Sequence, residues 1–121
     1  MGFETLHAWD EVATGTGYDD WHGEDLLTML GMWQRGDVSR CVSAANGQVD
    51  QALKAIESRV LLMPCETDQY FRPYVSEIEA QSLGEADLQV VPSIWGHIAG
   101  GGANPKDVEW MNEKIEALLR S

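Results

Sequence analysis

The sequence predicts an α/β protein: helices first, then a β-α-β-α run whose two strands lie parallel in a sheet that these 121 residues do not complete. Three observations predict it. Apolar residues recur at helical spacing through the first half of the chain. Two short aliphatic runs, Val60-Leu61-Leu62-Met63 and Leu88-Gln89-Val90-Val91, each end at a proline, Pro64 and Pro92. A helix-patterned segment lies between the two runs and another follows the second.

The elements follow in order. Residues 4–13 are short and amphipathic, with Leu6, Trp9 and Val12 at helical spacing, and Gly15-Thr16-Gly17 breaks them off. Residues 24–35 predict a stronger helix. Leu26, Leu27, Leu30 and Trp33 make its apolar stripe, Glu24 and Asp25 suit its positive N-terminal end, and Gly36-Asp37 stops it. A polar stretch runs to about residue 48, and a short helix at 49–57 sets Val49, Leu53 and Ile56 on one face.

Val60 to Met63 then reads as a strand buried on both faces of a parallel sheet, because it is continuously apolar. Residues 74–83 predict a helix opened by Pro73 and closed by Gly84. Residues 88–91 are the second strand, and a glycine-rich loop follows from Gly96 to Gly102. Asn104, Pro105 and Asp107 open the last helix, and Val108, Met111, Ile115, Leu118 and Leu119 form its expected buried stripe. Strand–helix–strand of this length is a right-handed βαβ unit. Two parallel strands do not make a stable open sheet, so the unit reads as the edge of a larger one.

Composition excludes several function classes. The formal net charge is -12, from 20 acids against 8 Lys and Arg. Glu4, Asp10, Glu11, Asp19, Asp20, Glu24 and Asp25 all precede the first basic residue, Arg35. Nucleic acid and anionic membrane surfaces repel such a chain, so neither is an expected partner. No apolar run approaches the roughly 20 residues that span a bilayer, and no secretory leader pattern is present. Cys41 and Cys65 are too few for a disulfide framework, and the expected location is the reducing cytoplasm.

The chemistry lies just past the two strands. In open α/β sheets, functional groups gather beyond the carboxyl ends of the strands. Asp68 follows the first strand in Cys65-Glu66-Thr67-Asp68, and His97 follows the second in Pro92-Ser93-Ile94-Trp95-Gly96-His97. Adjacent parallel strands are about 4.8 Å apart, so residues on their exit loops can meet. An aspartate that accepts the Nδ1 proton of a histidine leaves Nε2 to take a proton from a nucleophile. The plainer alternative is an aspartate in a turn and a histidine in a loop.

Leu61 through Phe71, with Pro64-Cys65-Glu66-Thr67-Asp68 at its centre, resembles the acid-bearing strand and loop of homoserine O-acetyltransferase-like α/β-hydrolases. Val90 through Gly102, with Trp95-Gly96-His97, resembles that group's histidine loop. Asp25-Leu26-Leu27-Thr28-Met29-Leu30 and Trp33-Gln34-Arg35-Gly36-Asp37-Val38-Ser39 resemble its helical lid. The resemblance implies a partial α/β-hydrolase fold, with residues 1–48 a lid-like helical segment and 49–121 the βαβα part. It makes Asp68 the triad acid and His97 the general base.

Two departures qualify what the resemblance implies. Its members place a nucleophile on a G-x-S-x-G-like turn before the acid, and no such motif occurs in the 121 residues. The chain is therefore expected to be the C-terminal half of such an acyltransferase or hydrolase, inactive alone. The alternative is one half of a split acyltransferase or esterase completed by a nucleophile-bearing partner chain. Members that use homoserine usually carry an aspartate directly after the histidine, and Ile98 stands there in this chain. The orphan strand edge and the uncovered lid residues Leu26, Leu30 and Trp33 also predict a homo-oligomer, a two-fold dimer.

Other constellations are weaker. Cys65 and Ser93 lie near the pair in sequence but read as a buried thiol and as loop structure. Gly100-Gly101-Gly102 fits neither phosphate-binding glycine motif. Asp20, His22 and Glu24 lack a ligand spacing that selects a metal. Trp9, Trp21, Trp33, Trp95 and Trp110 read as core or interface aromatics. No metal and no cofactor is expected.

Overall fold

The computed structural model describes residues 4–8, 11 and 20–120. Trp9, Val12 and the Gly15-Thr16-Gly17 break lie outside the described residues. The chain forms two compact units, residues 1–36 and 37–121.

In the first unit, residues 6–8 are helical. The main element is helix α1, Gly23–Arg35, with Glu24 and Asp25 in its first turn and Arg35 in its last, both favourable to its dipole. The Gly36 N–H closes it on the Trp33 carbonyl at 3.1 Å. None of its residues is buried: Leu27 is 70% and Trp33 69% exposed.

The second unit opens with two 3-10 turns, Val38–Arg40 and Ser43–Ala45, in the stretch that reads as polar loop. The Asp37 carboxylate caps the first by accepting the Ser39 N–H at 3.0 Å. Both turns pack on helix α2, Val49–Lys54, where Ser39, Ala45 and Ala52 are buried together. Strand β1 is Val60–Leu62, helix α3 is Pro73–Ala80, strand β2 is Ala86–Leu88, and helix α4 is Pro105–Arg120. Pro73 starts α3, as its missing N–H predicts. The Asn104 side chain accepts the Lys106 N–H at 3.2 Å and caps α4.

Strands β1 and β2 pair in parallel, with Val60 opposite Ala86 and Leu62 opposite Leu88. The second strand therefore begins two residues earlier than its apolar run. Ala86 and Asp87 are exposed, so backbone pairing with β1 rather than burial sets that boundary. The ladder resumes beyond the regular strands. The Gln89 N–H donates to Leu62 O at 2.9 Å, Val91 N–H to Pro64 O at 2.8 Å, and Glu66 N–H to Val91 O at 3.1 Å. Pro64 sits in the pairing register but has no N–H to give, and the regular strand ends before it, at Leu62.

Strand β1 is half-buried along its length rather than buried on both faces. Among the described residues the sheet has two strands, about 10 Å of width, which is too narrow to cover a full helix stripe. Val108, Met111 and Leu118 of α4 are half-buried accordingly, while Ile115 and Leu119 are exposed. The compact core lies under the strand exits. Cys65, Val91 and Ala99 are buried there, with Met63, Trp95, Trp110 and Met111 packed on them.

No helix among the described residues is long and apolar enough to cross a membrane.

Val91 is 1% exposed and joins the ladder to this core. Val91→Ala is expected to lower stability by about 2 kcal/mol, read from thermal or urea unfolding.

Candidate active site

The site is built by two loops that leave the sheet at the same end. The acid loop continues from β1 through Cys65 to Asp68. The histidine loop continues from β2 through Val91 and enters a 3-10 turn, Gly96–Gly101, where the sequence predicts a plain glycine-rich loop. His97 is the second residue of that turn. The bridge between Cys65 and Val91 holds the two loops side by side where they begin.

Asp68 and His97 meet across this gap. His97 Nδ1 lies 3.1 Å from Asp68 Oδ2. Asp68 is only 6% exposed, whereas the His97 side chain is 47% exposed. An ionised carboxylate can only accept, so the contact requires the proton on Nδ1 and leaves the Nε2 lone pair on the opposite side of the ring. The other carboxylate oxygen, Oδ1, accepts the backbone N–H groups of Tyr70 at 2.7 Å and Phe71 at 3.0 Å. The Tyr70 and Phe71 rings lie against the imidazole, with centroids 4.8 and 5.2 Å away. Thus one short turn, Asp68 to Phe71, both orients the carboxylate and walls the histidine.

Burial pushes the Asp68 carboxyl up, but the N–H groups of Phe71 and Tyr70 and the bond from His97 outweigh it. They hold the acid below its ordinary value of 3.8.

A second layer of polar contacts ties the two loops together. Thr67 Oγ1–H donates to the Ser93 carbonyl at 2.8 Å and accepts the Gly96 N–H at 3.1 Å. Cys65 Sγ also reaches the Ser93 carbonyl, at 3.1 Å. The Ser93 hydroxyl donates to Asp107 Oδ2 at 2.6 Å and accepts the Trp95 N–H at 3.1 Å. Asp107 is buried in the first turn of α4, where the helix dipole favours its charge. Gly96 has φ +55°, and a Cβ there would stand 3.3 Å from the Thr67 carbonyl oxygen, so glycine permits both the turn and the close approach.

Cys65 and Ser93 are therefore occupied in holding the loops. Both are buried, and their side chains are engaged at Ser93 O and at Asp107 rather than turned to His97. Sequence reading missed Thr67, Ser93 and Asp107 as a network. The available signals were a hydroxyl residue directly before the acid and a carboxylate in the first turn of a capped helix. A cavity of about 210 Å³, lined in part by Cys65, Phe71, Val91 and Met111, opens beside Asp68 and His97. Among the described residues no three His, Cys, Asp or Glu side chains gather as metal ligands, Asp20, His22 and Glu24 included.

Asp68 titrates lower in the fold than in the unfolded chain, so its ionised form stabilises the fold above pH 3.8. That contribution is lost as pH falls from there through the folded value. Asp68→Asn is expected to flatten the acid limb: below about pH 4 the parent's unfolding midpoint should fall more steeply than the variant's.

Comparison with known proteins bears on the fold that carries these loops. No protein-family model matches the chain. An ethyl acetate hydrolase from Pseudomonas veronii is 27% identical over 121 residues, which is 100% of this chain and 34% of that protein. The monoclinic structure of the acetyl esterase MekB superposes with a TM-score of 0.86 at 28% identity, over 99% of this chain and 34% of that one. The chain thus spans about a third of the length of the relatives it matches. Its 121 residues are similar to part of two ester hydrolases and fold as part of an α/β-hydrolase-type architecture.

Proposed function

We propose that Asp68 and His97 are the orienting acid and general base of a serine-type ester hydrolase whose nucleophile comes from polypeptide outside these 121 residues. The observation that carries this reading is the 3.1 Å contact between a buried carboxylate and a half-exposed imidazole, placed where two adjacent parallel strands end. In that arrangement Asp68 fixes the Nδ1–H tautomer. Nε2 takes the proton of an attacking hydroxyl, and Asp68 stabilises the resulting imidazolium. His97 then returns the proton to the departing alcohol, and the same cycle with water releases the acid. The chain carries no G-x-S-x-G turn to supply the hydroxyl itself, so by this reading it is inactive alone.

Simple acetyl esters are the favoured substrate class. Both relatives are ester hydrolases by name, one of ethyl acetate. Acyl transfer to homoserine would use the same acid and base with an amino-acid acceptor. Ile98, next to His97 and exposed, offers no charge to an ammonium group and speaks against it.

The test is complementation. The chain is assayed alone on p-nitrophenyl acetate and ethyl acetate, then co-expressed with the part of the Pseudomonas veronii hydrolase that it does not span. Turnover is expected only in the co-expressed pair, at background with His97→Ala and lowered about 10⁴-fold with Asp68→Asn. Turnover that survives His97→Ala would remove the assignment. Acetyl transfer to homoserine at a rate above ester hydrolysis would replace the substrate class.

A further inference from the structure

We infer that Thr67 is a positioning residue: its hydroxyl sets the distance and orientation between Asp68 and His97 by clamping the histidine loop one residue before each member of the pair. The inference rests on the acid–base reading above and adds a residue to it.

Thr67 immediately precedes Asp68, and Gly96 immediately precedes His97. A single oxygen, Thr67 Oγ1, makes both cross-loop bonds. It donates to the Ser93 carbonyl at 2.8 Å and accepts the Gly96 N–H at 3.1 Å. Both groups lie just ahead of His97, so the hydroxyl holds the Ser93–Gly96 segment that leads into its turn. The regular ladder cannot do this work, because its last backbone bond between the loops, Glu66 N–H to Val91 O, lies before Thr67 and before Ser93. Beyond Val91 the histidine loop's backbone is bonded by two acid-loop side chains, Cys65 from before that last bond and Thr67 from after it, and of the two Thr67 reaches Gly96.

The far side of the clamp is anchored too. Ser93, whose carbonyl receives Thr67, is pinned through its own hydroxyl to buried Asp107 at 2.6 Å. The path from α4 through Asp107, Ser93 and Thr67 to Asp68 is therefore continuous. Valine has nearly the shape of threonine but neither donates nor accepts. In Thr67→Val the Gly96 N–H loses its partner, the Ser93 carbonyl keeps only the weaker thiol, and the His97 turn is free to move relative to Asp68.

The test needs no catalysis, because the pair itself is the readout. Nitrogen-15 spectra of the isolated chain at neutral pH report which ring nitrogen of His97 carries the proton, with His97→Gln assigning the signal against His7 and His22. The parent is expected to hold the Nδ1–H tautomer. Thr67→Val should lower the ratio of Nδ1–H to Nε2–H by about fivefold, the change expected for losing one ordinary hydrogen bond. Thr67→Ser, which keeps the hydroxyl, should restore the parent ratio. A Thr67→Val protein with the parent ratio overturns the inference while leaving the acid–base reading intact. A parent already in the Nε2–H tautomer overturns both. If Thr67→Val does not fold, amide exchange in the parent decides: a Gly96 N–H that exchanges as fast as that of Gly100 overturns the inference, and marked protection upholds it.

Discussion

The register that sets Val60 opposite Ala86 also sets Cys65 opposite Val91, and the rest of the site hangs from that pairing. Parallel strands leave a sheet from the same end. The loops after them therefore emerge side by side, with Asp68 and His97 only a few residues from the last shared backbone bond. A shift of one residue would turn every side chain of one strand to the other face. Cys65 or Val91, whichever strand moved, would then leave the small core on which Trp95 and Met111 pack.

Burial and polarity are balanced at short range. Asp68 gives up most of its hydration and receives three hydrogen bonds in return, two from its own turn and one from His97. Asp107 does the same with a single hydroxyl and the end of a helix. No buried side-chain nitrogen or oxygen among the described residues lacks a partner. Such a network is costly to leave half-made, which is why hydroxyl, carboxylate and glycine occupy Thr67, Ser93, Asp107 and Gly96 together.

The apolar surfaces show the opposite economy. Strand β1 is half-buried and the stripe of α4 is only partly covered; in the first unit, α1 buries none of its leucines. An all-parallel sheet needs cover on both faces, and the two-stranded sheet of the second unit is too narrow to cover a full helix stripe. The same 121 residues match a third of two ester hydrolases, in which a longer chain accompanies them. The polar site is internally satisfied; the apolar framework around it is not.

By itself the sequence determined the class of the fold, the parallel βαβ order and the starts of α3 and α4, and it singled out Asp68 and His97 without fixing that they meet. Those are local matters. Pro73 and Asn104 act within one turn of their own helices, and the two aliphatic runs ended by proline show roughly where the strands lie, though not their bounds. What only the tertiary structure decided is where pairing begins and what holds the loops. Ala86 and Asp87 are polar or small and exposed, so nothing in their own pattern marks β2; the bonds that β1 offers do. The 3-10 turn that carries His97 forms where Thr67 accepts the Gly96 N–H. Ser93, Thr67 and Asp107 lie up to 40 positions apart in sequence numbering, and hydrogen bonds between them depend on a chain path that no local period records.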